Sequence, residues 1–511
     1  MVSDPPRGRC PTEILAFAGI LGLAVLFRMY GLRSLDMWQD DVWTVYLADH
    51  LVSFARHGAF CVDMPLFPAT IKVWMWMGGR EMSYLRMVSV LLGTGAVAVV
   101  YFLGRRYLDK AGGVRAGLLF ACSPFTVYYS REIRSYALTL LLSALVLRSF
   151  MKMNEGRSMI PFIGFASLLV HTHYMNFLML PSLAIYLLRD HRERPGRLRG
   201  FFKAVLVVIG ASLPWLISNT LPEVIAMSRS EGWWVPQPSP LDLLFMLKAW
   251  LVGFGASDTL GIGLAVLVAG CISVAFVIRR GAGLPEIVRV GAIICILPPV
   301  GVLLVSRITS ESAFVSRYFM FCLPGFWLIV AWLLGTIASA RGRRLGLAVL
   351  LVMFLFAHKA QYGNRLQVGR SNPGVHPRHD YAGAAAFIRA GWRPGDCIGH
   401  TCTAAFVVFR YYHLADLGQS CLSAGEIPLD MFFRTYPIPS LPSLVPEQMR
   451  RLPEDAASGC GRFWLVLSCF LEPGRNRDNA ESVQAWFDAH CVMRSEWRGT
   501  GVGVRCYELT E

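Results

Sequence analysis

Long apolar runs separated by short polar connections occupy the first 357 residues of the chain, and the pattern changes after that. A helix that crosses a bilayer needs about 20 predominantly apolar residues, with a range near 17 to 25. Runs of this kind fall at roughly 11–28, 84–103, 113–128, 136–151, 159–175, 176–189, 201–218, 259–278, 287–305, 318–338 and 344–357, which predicts about eleven membrane helices. From about His358 the periodicity becomes that of a water-facing domain. Asp380 to Ala390, Thr403 to Tyr412 and Asn479 to His490 have helical spacing, whereas Gly395 to Gly399, Phe463 to Cys469 and Gly501 to Leu509 read as strands. Such alternation predicts a small α/β domain. The expected fold is therefore a polytopic α-helical membrane protein, with a membrane domain at 1–357 and a C-terminal extracytoplasmic α/β domain at 358–511.

Basic residues set the orientation of the spans. Arg105, Arg106, Lys110 and Arg115, then Arg148, Lys152 and Arg157, then Arg189 to Lys203, then Arg279 and Arg280, then Arg341, Arg343 and Arg344 recur at every second connection. The positive-inside rule makes those connections cytoplasmic. The loop at about 29–83 and the tail then face the other side, as expected for a multi-pass protein of the inner (cytoplasmic) membrane. The net charge of +15 is spent on these clusters rather than on one patch, which argues against a nucleic-acid partner. With 54% hydrophobic and 16% charged residues and a mean hydropathy of +0.46, an ordinary soluble protein is excluded. No small-residue cleavage site follows the first run, so it reads as a retained span. Seven cysteines lie after residue 390 with no CxxC spacing. Disulfides are expected there if the tail is extracytoplasmic; no cofactor is expected, and a divalent metal has no support in the sequence.

Candidate chemistry gathers on the predicted outer side. Asp40 and Asp41 follow the first span within Trp38-Gln39-Asp40-Asp41-Val42-Trp43. Asp63 precedes Met64-Pro65, and Lys72 follows in a segment with the composition of an interfacial helix. Tyr129, Arg131, Glu132 and Arg134 stand between two spans, His173 in another turn, and Arg317 before Tyr318. Carboxylates and arginines at one membrane depth offset the cost of charge near lipid. They suit transfer from a lipid-linked phosphate: a carboxylate takes the acceptor's proton, and cations stabilise the departing phosphate. Each group also has a structural reading, as helix caps, snorkelling side chains or satisfied histidines. A transporter or flippase of a lipid-linked or anionic substrate is the alternative function. Against it, the charges collect at one face and no paired, broken-helix repeat is visible. The tail carries no dinucleotide, Walker or nucleophile-elbow motif, so a docking or acceptor-orienting role is expected for it.

The ordered set of motifs resembles the protein O-mannosyltransferase and aminoarabinose-transferase group of C-type glycosyltransferases. Trp38 to Trp43 is similar to their Asp-Glu motif, and Met64-Pro65-Leu66-Phe67 to their His-Pro-Pro-Leu segment. Ser123-Pro124-Phe125 through Tyr136-Ala137-Leu138, Thr172-His173-Tyr174 and Arg317-Tyr318 follow in the family's order. The resemblance implies an inverting transferase. It would move one sugar from a polyprenyl-phosphate donor to an extracytoplasmic glycan, lipid or protein acceptor. Asp40 would be the general base, with Asp41 at a position where glutamate is usual. Arg134 and Arg317, with Lys72 and Arg131, would hold the donor phosphate. Asp63, His173, Tyr129 and Glu132 would meet sugar or acceptor, with Asp63-Met64 standing where the family has His-Pro.

Overall fold

The computed structural model describes residues 11–53, 64–189, 195–221, 235–279, 283–309, 312–367, 369, 371–422, 450–468 and 475–509. Chain order begins with helices α1 (Pro11–Met29), α2 (Gln39–Asp49), α3 (Leu66–Gly78), α4 (Met82–Tyr107), α5 (Lys110–Cys122), α6 (Pro124–Tyr129), α7 (Tyr136–Asn154) and α8 (Ile160–Val170). A 3-10 turn (Tyr174–Leu178) leads into α9 (Met179–Arg189), then α10 (Pro195–Trp215), α11 (Leu241–Val252), α12 (Asp258–Arg279) and α13 (Glu286–Thr309). A second 3-10 turn (Ser316–Cys322) opens α14 (Leu323–Thr336), and α15 (Ala340–Tyr362) ends the helical part. The tail runs α16 (Tyr381–Gly391), β1 (Cys397–His400), α17 (Thr403–Val408), β2 (Gln419–Leu422), β3 (Arg450–Arg451), α18 (Pro453–Ala457), β4 (Arg462–Ser468), α19 (Arg475–His490), β5 (Cys491–Gly499) and β6 (Val502–Leu509).

Eight described helices, counting the second 3-10 turn with α14, are long and apolar enough to cross a membrane. The shorter apolar helices α5, α8 and α9 fall at the three other places where spans are expected. α12 is apolar around its whole circumference yet little buried: Leu260, Val277 and Ile278 are exposed. Outward apolar side chains of this kind belong in lipid. Inside the bundle, small residues let backbones approach. A Cβ on Gly104 of α4 would come within 2.9 Å of the Gly112 carbonyl of α5, and one on Gly291 of α13 within 3.2 Å of the Gly325 carbonyl of α14.

Packing divides the chain into two compact units, Met1–Leu32 with Phe60–His376, and Arg33–Ala59 with Pro377–Glu511. The division expected at 357/358 differs from this in two respects. α15 continues to Tyr362, and the segment that includes α2 packs with the tail rather than with the bundle. The physical reason is the burial of Val42, Val45, Tyr46, Leu47 and Ala48, which give α2 an apolar body to place against α17.

The second unit holds a six-stranded sheet in the order β3-β2-β1-β4-β6-β5, its first four strands parallel and β6 antiparallel to both β4 and β5. Phe463, Leu465 and Leu467 of β4 and Tyr507 of β6 form its core with Val483 and Phe487 of α19. Asn479 donates hydrogen bonds to the carbonyls of Thr401 and Leu422, tying α19 to the ends of β1 and β2. A disulfide joins Cys397 to Cys460, Cys402 is also disulfide-bonded, and Cys421, Cys491 and Cys506 are reduced.

Candidate active site

In the second unit, the acidic pair lies in the first turn of α2. This stretch is expected as loop from its sequence; the helix starts three residues before its apolar body because Gln39, Asp40 and Asp41 supply a first turn whose negative charge suits a helix N-terminus. Successive helical residues point about 100° apart. Asp41 is consequently fully buried, whereas Asp40 is half-buried and keeps a face to solvent. Arg378 reaches Asp41, Nη1 to Oδ2 3.9 Å, and its guanidinium lies 5.1 Å from the Trp38 ring centre. The Tyr46 phenol is pushed well above its ordinary range by burial, reinforced by Tyr411, so it offers no base. Of the adjacent pair, Asp40 is thus the accessible carboxylate and Asp41 the anchored one.

In the first unit, the remaining motifs converge although they are far apart in sequence. The Leu66 N–H donates to the His171 carbonyl at 3.1 Å, joining Met64-Pro65-Leu66-Phe67 to Thr172-His173-Tyr174. Thr139 and Thr172 share a hydrogen bond of 3.1 Å, and Asn176 donates to Thr172 at 2.7 Å. The His173 ring stacks on Tyr174 and meets the Tyr318 ring at 4.9 Å. His173 Nδ1 also accepts the Met175 N–H, capping the 3-10 turn. Tyr129 is buried against Tyr136 and Phe254, within electrostatic reach of Arg317 and Glu132.

The cations differ in how they are held. Arg317 is buried and donates through Nη1 to the carbonyls of Pro373 (3.0 Å) and Gly374 (3.2 Å). Arg131 donates to the Tyr30 carbonyl at 2.7 Å and lies 4.8 Å over the Tyr362 ring. Those contacts give Arg131 a structural task beside the expected phosphate role. Arg134 is half-buried two positions after the buried Glu132, and Lys72 is half-buried in the middle of α3. Asp63 lies outside the described residues. Asp40 and Asp41 belong to one unit and the other candidates to the other. Among the described residues, no group of three or more His, Cys, Asp or Glu could hold a metal ion.

Sequence reasoning missed Arg378, Asp36 and His413. Asp36 accepts from the Met37 N–H (2.7 Å), the Ala382 N–H (2.7 Å) and His413 Nε2 (2.9 Å). Nothing in the local spacing marks these three; only the pairing of residues over 300 positions apart brings them together.

Residues 62–217 match the family described as dolichyl-phosphate-mannose-protein mannosyltransferase. A sequence search among curated proteins finds no match. In structure the chain is similar to ArnT from Cupriavidus metallidurans in the apo state, with a TM-score of 0.61 and 12% identity over 96% of this chain and 97% of that one. It is also similar to the same protein bound to undecaprenyl phosphate (TM-score 0.63, 13% identity, 97% and 98% covered). The Archaeoglobus fulgidus oligosaccharyltransferase in its apo form has a TM-score of 0.51 and 11% identity, over 98% of this chain and 74% of that one. The chain is therefore a multi-pass membrane protein with the fold of ArnT, and its residues 62–217 match the mannosyltransferase family model.

Proposed function

We propose that the chain is a membrane glycosyltransferase that moves one sugar from a polyprenyl-phosphate donor to an acceptor outside the cytoplasm. In this reading Asp40 takes the proton from an acceptor hydroxyl or amine as that atom bonds to the anomeric carbon. The bond from that carbon to the phosphate oxygen breaks, and polyprenyl phosphate leaves with the electron pair. A single displacement of this kind inverts the anomeric centre. Arg134 and Arg317, assisted by Lys72 and Arg131, stabilise the charge on the leaving phosphate. Asp63, His173, Tyr129 and Glu132 contact sugar or acceptor. The tail and first loop face the extracytoplasmic side of the inner membrane, with the basic clusters inside.

The observation that carries the reading is the contrast within α2, a half-exposed Asp40 beside a fully buried Asp41 set against Arg378. Support comes from the undecaprenyl phosphate bound to ArnT, a protein this chain matches over nearly its whole length. The test is Asp40→Asn in the full-length protein. It should lower transfer by about 10²- to 10⁴-fold, read as the rate at which the modified envelope glycan appears when the variant complements a deletion strain. Undecaprenyl phosphate binding by the purified variant should be unchanged. Transfer at the normal rate by Asp40→Asn would overturn the assignment. Mass spectrometry of envelope glycans with and without the gene identifies the sugar and acceptor.

A further inference from the structure

α2 is only 11 residues long, and its N-cap, Trp38, makes no side-chain capping hydrogen bond. A helix this short is marginal by itself. Two sets of contacts hold it, and they act at different ends. The body is held by apolar burial: Val42, Val45, Tyr46 and Leu47 are buried, and the Tyr46 ring meets Tyr411 edge-on. The polar contacts gather instead where Asp40 sits. Just before the helix, Asp36 is 8% exposed and receives both His413 Nε2 and the Ala382 N–H. Ala382 stands in the first turn of α16, whose N-terminal donors are also met by Asp380 through the Gly383 N–H. Asp36 therefore serves as a second carboxylate cap on α16, and α16 in return fixes the entry to α2. Arg378, two residues before Asp380, covers the Trp38 ring and faces Asp41.

We propose that Asp36, Arg378 and His413 are positioning residues that fix the first turn of α2 and hence the place of the Asp40 carboxylate, making the C-terminal domain part of the catalytic apparatus. This rests on the reading of Asp40 as the base. Because burial of the helix body docks α2 without them, their loss leaves the domain folded but loosens the turn that carries the base. A misplacement of about 1 Å at such a group costs on the order of 10² in rate.

The experiment uses the full chain in membranes, with Asp36→Ala, His413→Leu, the double variant, and His413→Gln, which restores an amide donor. Arg477→Ala, which removes an exposed pair with Glu481 elsewhere in the domain, is the control. Expected are a fall of about 10²-fold in glycan modification for each single variant and little further loss in the double. His413→Gln should recover part of the rate and the control all of it. Undecaprenyl phosphate binding should be unchanged and the protein should stay folded with a melting temperature only a few degrees lower, while backbone hydrogen exchange rises in residues 39–44 and not in the sheet. Where Asp36→Ala does not accumulate, Asp36→Asn carries the same test. Normal rates in Asp36→Ala and His413→Leu, or losses that track melting temperature with no rescue by glutamine, would overturn the proposal. If Asp40→Asn abolishes transfer while these variants do not, only this inference falls. If Asp40→Asn itself is active, the functional reading falls instead.

Discussion

Asp40 and Asp41 are chemically alike and adjacent, so the difference between them comes from the helix that carries them. Removing one partner of a buried charge pair leaves the other uncompensated, at about 3 to 5 kcal/mol for well-made pairs. At 3.9 Å the Asp41–Arg378 contact is a long one, and the lower end applies. Asp41→Ala should therefore lower the melting temperature of the purified protein by several degrees, whereas Asp40→Asn should leave it within a degree or two of the wild type. Equal destabilisation by both would mean that the two carboxylates share one environment. Arg317 allows a second test at this scale. Its Nη1 is engaged by the Pro373 and Gly374 carbonyls, which sets the direction of the planar fork. Arg317→Lys keeps the charge and loses the fork, and should weaken undecaprenyl phosphate binding about tenfold, near 1.4 kcal/mol. The acidic pair and the Arg-Tyr step stand out in the sequence because each follows or precedes an apolar run. Arg378 was not, since its role depends on a partner 337 positions earlier.

At the scale of elements, the expected span at 113–128 is two helices, α5 and α6, broken at Ser123-Pro124. Proline removes a donor and excludes the preceding turn's hydrogen bond, which leaves carbonyls to be satisfied. Three are taken by side chains: Phe120 by Thr126 Oγ1 (2.9 Å), Ala121 by Arg28 Nη1 (3.0 Å) and Cys122 by His358 Nε2 (2.9 Å). The break was written in the Ser-Pro step, but its capping by α1 and α15 was not, because those residues read as ordinary members of distant apolar runs. Arg28→Leu should strand the Ala121 carbonyl and cost about 1 to 3 kcal/mol, measured as a lower melting temperature in detergent. In the tail, β1 and β4 were legible as apolar strands. β5 was not, because Arg494, Glu496 and Arg498 break its apolar pattern and most of it is exposed. His400, the last residue of β1, is buried beside Phe406 and Phe409, and burial pushes its imidazole down to about 4 against the opposing hydrogen bond to Gln419. Between an unfolded value near 6.5 and that folded value, the unfolded state binds the extra proton, so stability falls as the pH drops through this window, by up to about 1.4 kcal/mol per unit. Protection against hydrogen exchange in 397–422 of the full chain, corrected for the intrinsic exchange rate at each pH, should fall from pH 7 to pH 5, and His400→Gln should flatten that dependence.

For the whole molecule, the long apolar helices and the alternating basic clusters were readable from pattern alone, because lipid imposes length and charge placement more strictly than water does. The two-unit packing was not, because an early loop joins a late domain through side chains that no local periodicity marks. The proposed orientation can be tested through the cysteines, independently of charge. The Cys397–Cys460 disulfide closes 63 residues and ties the start of β1 to the turn before β4. On the chain-entropy view a loop of that length contributes about 4 kcal/mol. Such bonds persist where the surroundings are oxidising and not in the cytosol. In whole cells, Cys397 and Cys460 should resist maleimide until a reductant is added, and Cys460→Ser should make the tail sensitive to protease near its former midpoint of stability. Ready labelling of both thiols without reduction would place the tail in the cytosol. It would move Asp40 there with it, since α2 packs in the same unit, and a polyprenyl-phosphate transfer outside the cytoplasm could not then use that carboxylate.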